Sequence, residues 1–260
     1  MSEINYKSLA IHLNQSEYEK REVTSIQAEY PEMTVTDAYK IQEELVGLKH
    51  QEGHRIIGPK MGLTSKAKMK QMNVEDPIYG YVFDYMIVPD NTLLLNELIH
   101  PKVEAEIAFI LGKDIEGPDV TIEQVIEATE YVAPALEIID SRYKDFKFTL
   151  PDVIADNASS SKVFLGSTLK RPQELELDLV GVTLSINGEI KELGASAAVL
   201  GHPAESLVLL ARMLSRKGLK LKAGQVILTG GITGAVMLSD GDVVQAKWDG
   251  LGSIEFTVKK

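Results

Sequence analysis

The sequence of 260 residues contains no cysteine, which excludes disulfide bonds, thiolate catalysis and cysteine-ligated zinc sites. Positive charge is scarce: 27 Lys and Arg against 38 Asp and Glu give a net charge of −11. Such a balance argues against a nucleic-acid partner, and the one local basic run, Lys66, Lys68 and Lys70, is too small to change that. A signal-peptide core is lacking, as is any apolar stretch of the ~18 residues that a membrane helix needs. We therefore expect a cytoplasmic protein without a membrane partner.

The distribution of apolar residues predicts a single α+β domain with two parts. Residues 1–54 form a small helical part, with helices over 1–20 and from Val35 to about Lys49. Residues 55–260 form a β-rich body, in which an Asn-Gly pair in "SINGEI" predicts a hairpin. Two further helices are predicted, one from Thr121 to about Tyr131 and one that begins at Pro203 and ends at Gly218. The predicted strands cover 55–63, 103–111, 133–139, 180–186, 225–229, 242–248 and 252–258.

Two glutamates stand one residue apart in the apolar run "PKVEAEIAFIL" (101–111). Side chains of a strand alternate between faces, so Glu104 and Glu106 point to the same face. That face could simply meet water, although the next residues along it are apolar. Glu137, in the strand "VAPALEIID", has an equally apolar setting. Three converging carboxylates would suit Mg²⁺ or Mn²⁺, which prefer oxygen ligands, whereas no His stands nearby for zinc.

Three polar stretches are candidates for ligand contacts, and each also has an ordinary structural explanation. "DNASSS" (156–161) follows an apolar, strand-like segment and is either a plain loop or a ligand-binding one. "LTGGITGA" (228–235) fits neither a phosphate loop nor a dinucleotide fingerprint, but its backbone N–H groups could hold a carboxylate or oxyanion. Lys60, between glycines in "GPKMGLTSKAKM", is either solvated or an anion contact. His202 in "LGHPAES" is more typical of a helix start than of a metal ligand.

Taken together, these stretches resemble the fumarylacetoacetate hydrolase superfamily, in its branch of hydratases and decarboxylases. The similarity runs from about Val35 to the C-terminus. No single motif is specific, whereas the combination is. The stretches that carry it are "GPKMGLTSKAKMKQM", "PIYGY", "HPKVEAEIAF", "EIIDSRYKDFKF", "VIADNASS", "GASAAVLGHP" and "TGGITGA".

The resemblance implies an α+β fold centred on a β-roll or distorted barrel, commonly in homo-oligomers. It implies Mg²⁺ as the cofactor, with Mn²⁺ as the alternative and no organic cofactor. The implied metal ligands are Glu104, Glu106 and Glu137. The implied catalytic residues are Lys60 and Ser160, and the implied substrate contacts are Ile78, Asp156, Ser159, Gly231 and Thr233.

The reaction that the resemblance implies is the decarboxylation of a small dicarboxylate, 2-oxo-3-hexenedioate, to 2-hydroxypenta-2,4-dienoate in the meta-cleavage degradation of aromatic compounds. Related hydratases have "PDFG" where this sequence has "PIYG" (77–80). The apolar Ile78 would exclude water and disfavour the charge of the departing carboxylate, which favours decarboxylation. A hydratase of 2-hydroxypenta-2,4-dienoate is the alternative. An acylpyruvate-type C–C hydrolase would need a His–Glu base, for which the sequence offers no clear candidate. A complex with the pathway hydratase is also implied, and a non-catalytic partner protein remains an alternative.

Overall fold

The computed structural model describes residues 4–65, 69–70 and 77–260. Three helices form the N-terminal part: α1 (Tyr6–Glu19), α2 (Ile26–Glu29) and α3 (Val35–Gln51). Thr34 caps α3 reciprocally with Asp37, which fixes where that helix begins. The helices predicted over 1–20 and 35–49 are thus confirmed. Part of the stretch "GPKMGLTSKAKMKQM", including Lys66 and Lys68, lies outside the described residues.

The longer of two sheets builds the cavity described below. Its order is β2-β1-β9-β4-β5-β6, with β10 paired to β4, and all pairs are antiparallel except β1 with β9. This sheet curls into a half-barrel, so the prediction of an α+β fold with a roll or distorted barrel is confirmed. Numbered along the chain, its strands are β1 (Ile56–Gly62), β2 (Ile78–Phe83), β4 (Lys102–Leu111), β5 (Thr129–Ile139), β6 (Ser160–Leu165), β9 (Val226–Leu228) and β10 (Val236–Met237).

The second sheet has the order β3-β12-β11-β7-β8 and packs on the first. Phe164 of β6 stacks on Phe256 of β12 with ring centroids 4.1 Å apart. Asn187 and Gly188 both have positive φ, 55° and 80°, as the predicted Asn-Gly hairpin requires. The strands of this sheet are β3 (Thr92–Leu94), β7 (Gly181–Ile186), β8 (Glu189–Ala195), β11 (Val243–Trp248) and β12 (Gly252–Lys259).

Two of the sequence predictions for the body are wrong in detail. The helix expected to reach Tyr131 is α4 (Ile122–Ala128), because the chain enters strand β5 at Thr129. The strand-like segment before "DNASSS" is helix α5 (Leu150–Ala155). Its reciprocal cap between Thr149 and Asp152 outweighs the strand preference of the β-branched residues inside it.

Helix α6 (Pro203–Ser215) begins where the sequence predicts, with His202 as its N-cap. The expectation that no stretch has the length and apolar composition of a membrane helix is wrong, because Ser196–Ser215 has both. Its α-helical part has 13 residues, about 20 Å long, against a hydrocarbon core of about 30 Å. Half of the stretch is buried, including Leu207 and Leu210 in the main core. Its apolar composition is that of a core helix.

The hydrophobic residues form a main core and two smaller clusters. The main core lies between the two sheets and α6. One smaller cluster joins α1 and α3 to residues of the body, among them Ile78, Tyr143 and Ile154. The N-terminal helices therefore support the region from which the cavity wall is built. A division of the chain at residue 54 stays a prediction.

Candidate active site

Three buried carboxylates line one cavity of about 340 Å³. Strand β4 aims Glu104 and Glu106 to the same face, and Glu137 of β5 is the direct cross-strand partner of Glu104. Their exposures are 8% for Glu104, 1% for Glu106 and 1% for Glu137. The interpretation that this face simply meets water is therefore wrong.

Lys60 is a buried cation in contact with one of these carboxylates, Glu137. Its Nζ lies 3.0 Å from Oε2 of Glu137 and donates to the carbonyl oxygen of Ala158 at 3.1 Å. Strands β9 and β4 separate β1 from β5 in the sheet, so only the curl of the half-barrel permits this contact. Burial disfavours the ammonium, but the attraction of Glu137 and then of Glu106 outweighs it and raises the pKa of Lys60. Lys60 is therefore a buried, charged donor.

The glycine-rich loop after β9 holds a carboxylate of the protein itself. The backbone N–H of Gly230 donates to Oε2 of Glu106 at 2.8 Å. Gly231 lies so close to Oε2 of Glu104 that a β-carbon at this position would overlap it. Thr233 accepts a hydrogen bond from the backbone N–H of Ala105, which ties the loop to β4. The loop thus positions both glutamates of the pair.

The negative charge in the cavity is only partly compensated. Burial and then repulsion by Glu137 raise the pKa of Glu106 well above its usual value. Burial also raises the pKa of Glu137, although Lys60 opposes that rise. Oε1 of Glu137 is buried and has no hydrogen-bond partner among the described residues. Burial therefore disfavours the ionised forms of Glu106 and Glu137 in this cavity.

The carboxylates are not pre-arranged around a single point. Within residues 4–65, 69–70 and 77–260, no three Asp, Glu or His side chains are placed as a ready metal-binding group. Oε2 of Glu137 is in contact with Lys60. The assignment of Glu104, Glu106 and Glu137 as metal ligands therefore stays a prediction.

A strained turn presents Lys60 with its backbone acceptor. Asn157, Ala158 and Ser159 all have left-handed φ values between 51° and 55°, which is unusual for three consecutive non-glycine residues. The side-chain amide of Asn157 pairs with both backbone groups of Tyr81, like an added strand residue, at 2.8 Å each. Oγ of Ser159 is buried without a partner among the described residues, and Ser159 lines the cavity.

A buried ion pair holds the base of this turn. The guanidinium of Arg142 donates to the side chain of Asp156 and to the backbone oxygens of Asp140, Asp156 and Ser160. Sequence reasoning missed Arg142, because no local pattern shows which carboxylate an arginine will meet 14 residues away. Asp156, predicted as a substrate contact, is fully buried in this pair and does not line the cavity.

Other predicted residues separate into those at the cavity and those behind it. Ile78 lies on the cavity wall opposite Gly62, its partner across β1 and β2. Ser160 does not line the cavity, and its Oγ contacts Sδ of Met86 at 3.7 Å. Thr233 also lies outside it, bonded to β4. Only Ser159 and Gly231 of the remaining predicted substrate contacts reach the cavity.

The rest of the cavity wall is largely apolar. Two charged features stand near its aromatic part. Lys102 lines the cavity with its Nζ 3.8 Å from the ring centroid of Phe146. His100 and Glu22 form the kind of His–Glu pair that sequence reasoning did not find, at 2.7 Å, but neither lines the cavity. The apolar residues of the wall include Ile78, Ile139, Phe146, Phe148 and Val153.

Comparison with known proteins places this fold and site in a family. Residues 60–259 match the model of the fumarylacetoacetate (FAA) hydrolase C-terminal domain, and the chain belongs to this family. It is 47% identical over 248 residues to a 4-oxalocrotonate decarboxylase of Pseudomonas putida, covering 95% of this chain and 94% of that protein. It is 44% identical over 226 residues to a 2-keto-4-pentenoate hydratase of Paraburkholderia xenovorans (strain LB400), covering 86% of this chain and 84% of that protein.

One solved structure is similar over nearly the whole chain. The 4-oxalocrotonate decarboxylase of Pseudomonas putida G7, complexed with magnesium and adipate, superimposes with a TM-score of 0.96. The identity is 43%, and the match covers 99% of this chain and 100% of that one. The sequence-based assignment to the hydratase and decarboxylase branch is confirmed.

Proposed function

We propose that this protein is a divalent-metal-dependent carboxy-lyase that converts 2-oxo-3-hexenedioate to 2-hydroxypenta-2,4-dienoate and CO₂. The observation that carries the proposal is the cavity itself, in which Lys60 and three buried carboxylates face an apolar wall. The similarity to 4-oxalocrotonate decarboxylases over 95% of the chain supports the choice of reaction.

The donor chemistry of the residues present fits a divalent metal, with Mg²⁺ first and Mn²⁺ as the alternative. Glu104, Glu106 and Glu137 supply oxygen donors, as hard cations prefer, and the pKa values of Glu106 and Glu137 are raised although Lys60 is nearby. Oε1 of Glu137, buried without a partner among the described residues, is a further oxygen that such a cation could bind. When bound, such an ion would hold the carboxylate and 2-oxo group of the substrate and draw electron density towards the C2 oxygen.

Lys60 is the residue of the chain that we place beside that oxygen. An ammonium has three N–H donors, and the described residues that accept from it are Glu137 and Ala158. The third donor is available for an oxygen that becomes negative during the reaction, where a charge-assisted bond is strongest. As the C5–C6 bond breaks, its electron pair forms the C4–C5 double bond, the C3–C4 pair moves to C2–C3, and the C2 oxygen takes the charge. That oxygen then takes up one proton.

The apolar wall decides what happens to the product. Ile78, Phe148 and Val153 offer no group that could position or activate water at the dienol. We therefore expect release of 2-hydroxypenta-2,4-dienoate rather than its hydration. Water exclusion also strengthens the interaction between Lys60 and the developing charge.

A hydratase is the second candidate, since the chain is also 44% identical to a 2-keto-4-pentenoate hydratase. A C–C hydrolase finds less support, because the His100–Glu22 pair lies outside the cavity lining. The distinguishing experiment incubates the purified protein and Mg²⁺ separately with 2-oxo-3-hexenedioate and 2-hydroxypenta-2,4-dienoate. CO₂ from the first and no hydration of the second supports the proposal, and the reverse result favours the hydratase.

The association of subunits, a complex with a hydratase that consumes the dienol, and a cytoplasmic location stay predictions. Each is compatible with the proposed reaction. Sedimentation of the purified protein, alone and with the hydratase, would test the first two.

A further inference from the structure

Lys102 is a second cation of the cavity, and the proposed chemistry leaves it without a role. It precedes Glu104 and Glu106 on the same face of β4, so the three side chains form a row along one strand. Burial decreases along this row from Glu106 at 1% to Glu104 at 8% and to Lys102, which is partly exposed. Lys102 therefore marks the outer end of the row, and Glu106 marks its deep end.

The ammonium of Lys102 is held in place by an aromatic ring and makes no hydrogen bond or ion pair with any residue that the structure describes. Its Nζ lies 3.8 Å from the ring centroid of Phe146. That ring is fixed in turn, since Phe146 has a left-handed φ of 56° and its ring packs against Phe148, at 5.4 Å, and against His100, at 6.4 Å. A cation held against a ring and open to the cavity keeps the N–H donors that point away from the ring available to a ligand.

We propose that Lys102 binds the second carboxylate of the substrate, at C6, and thereby selects dicarboxylates over monocarboxylates. The inference rests on the proposed function, which places the 2-oxo acid end at Lys60 and the three glutamates. Neighbouring same-face positions of a strand are about 7 Å apart. An extended six-carbon chain of five C–C bonds spans roughly 6 Å by ordinary bond lengths. A substrate held at the level of Glu104 can therefore reach Lys102 with its other end.

The second carboxylate is also the leaving group, which separates the effect of Lys102 on binding from its effect on chemistry. The ion pair is strongest before the reaction and disappears as the carboxylate becomes neutral CO₂. An interaction that is stronger in the ground state than in the transition state improves binding without raising kcat. Removal of the ammonium should therefore raise KM, while kcat stays the same or increases.

The test compares the binding of adipate and hexanoate to the Mg²⁺-loaded protein by calorimetry. These six-carbon acids differ only in the second carboxylate. Loss of one charge-assisted hydrogen-bonded pair lowers the binding affinity by roughly 10- to 100-fold. We expect Lys102→Met to lower the affinity for adipate by that factor and to leave the affinity for hexanoate unchanged. Lys102→Arg should keep most of the preference for adipate over hexanoate. Lys247→Met is the matched control, because Lys247 is an exposed lysine on a strand of the other sheet.

Two further measurements separate failure of this inference from other failures. Mg²⁺ affinity is measured directly and should be kept or increased in Lys102→Met, because a nearby positive charge is removed. A variant that loses Mg²⁺, or weakens adipate and hexanoate equally, overturns the inference. A different outcome is that the wild type releases no CO₂ while its preference for adipate still depends on Lys102. That result would contradict the proposed function but would still support a carboxylate-binding site at Lys102.

Discussion

Glu106→Gln tests the electrostatics of the cavity, since it removes one buried charge and keeps the size of the side chain. Burial and repulsion by Glu137 raise the pKa of Glu106 above its ordinary value of 4.5. Above that pH the metal-free folded protein keeps a proton that the unfolded chain has released. The contribution of Glu106 to the free energy of unfolding of the metal-free wild type therefore falls as pH rises from 4.5 towards the raised pKa.

The expected gain from the substitution follows from the same contacts. A buried ion loses several kcal/mol of hydration, and replacing a buried ion pair by apolar residues of similar volume is often neutral or stabilises a protein by about 1–4 kcal/mol. We take that range as the scale for removing the charge of Glu106. Gln keeps an oxygen that can accept the hydrogen bond from Gly230, now 2.8 Å long. At pH 8 and without metal, we expect the free energy of unfolding of Glu106→Gln to exceed that of the wild type by about 1–4 kcal/mol. Each kcal/mol corresponds to roughly 2–4 °C in Tm.

The assay is unfolding followed by circular dichroism between pH 5 and 8, with EDTA and then with Mg²⁺. The free energy of unfolding of the wild type should rise by about 2.7 kcal/mol when Mg²⁺ reaches 100 times its Kd. The stability of the variant should not change with Mg²⁺, and the variant should show no turnover. Glu130→Gln, at an exposed glutamate of β5, is the control and should behave like wild type. A variant that is less stable than wild type without metal at pH 8, or that still responds to Mg²⁺, would refute the reasoning.

Three other substitutions test the wall, the glycine loop and the strained turn. Ile78→Asp should slow CO₂ release at least 10-fold, about 1.4 kcal/mol, because it adds a negative charge near Lys60, where the C2 oxygen becomes negative; an unchanged rate would remove that explanation. Gly231→Ala should weaken Mg²⁺ binding by 10-fold or more on the same scale, because its β-carbon displaces Oε2 of Glu104. Calorimetry checks this, with Gly181→Ala, which has open space around it, as control. Arg142→Met should cost about 3–5 kcal/mol in urea unfolding, since it leaves a buried carboxylate unpaired; a loss below about 1 kcal/mol would show that the pair is dispensable.

The spacing of the glutamates was the most informative part of the sequence. Alternation along a strand is enough to place Glu104 and Glu106 on one face, and similar apolar surroundings point to Glu137. What alternation cannot give is the pairing of strands. The contact between Lys60 and Glu137 depends on the curl of a sheet in which two other strands lie between them.

Residues with a single predicted role often proved to have another. Asp156 and Thr233 stand in motifs that resemble ligand loops, yet one pairs with Arg142 and the other anchors the glycine loop to β4. The left-handed turn at 157–159 could not be predicted, because none of its residues is glycine. Helix α5 could have been found, since Thr149 and Asp152 have the spacing of a capping box.

The central claim is that Lys60 and the three glutamates form a metal-dependent decarboxylation site. The most direct measurement is CO₂ release from 2-oxo-3-hexenedioate by wild type and by Lys60→Met, each with Mg²⁺ and with EDTA, alongside Mg²⁺ binding by both proteins. The account predicts CO₂ from the wild type with Mg²⁺, and a loss of several orders of magnitude in Lys60→Met although that variant still binds Mg²⁺. Equal CO₂ release in EDTA, or undiminished release by Lys60→Met, would contradict it.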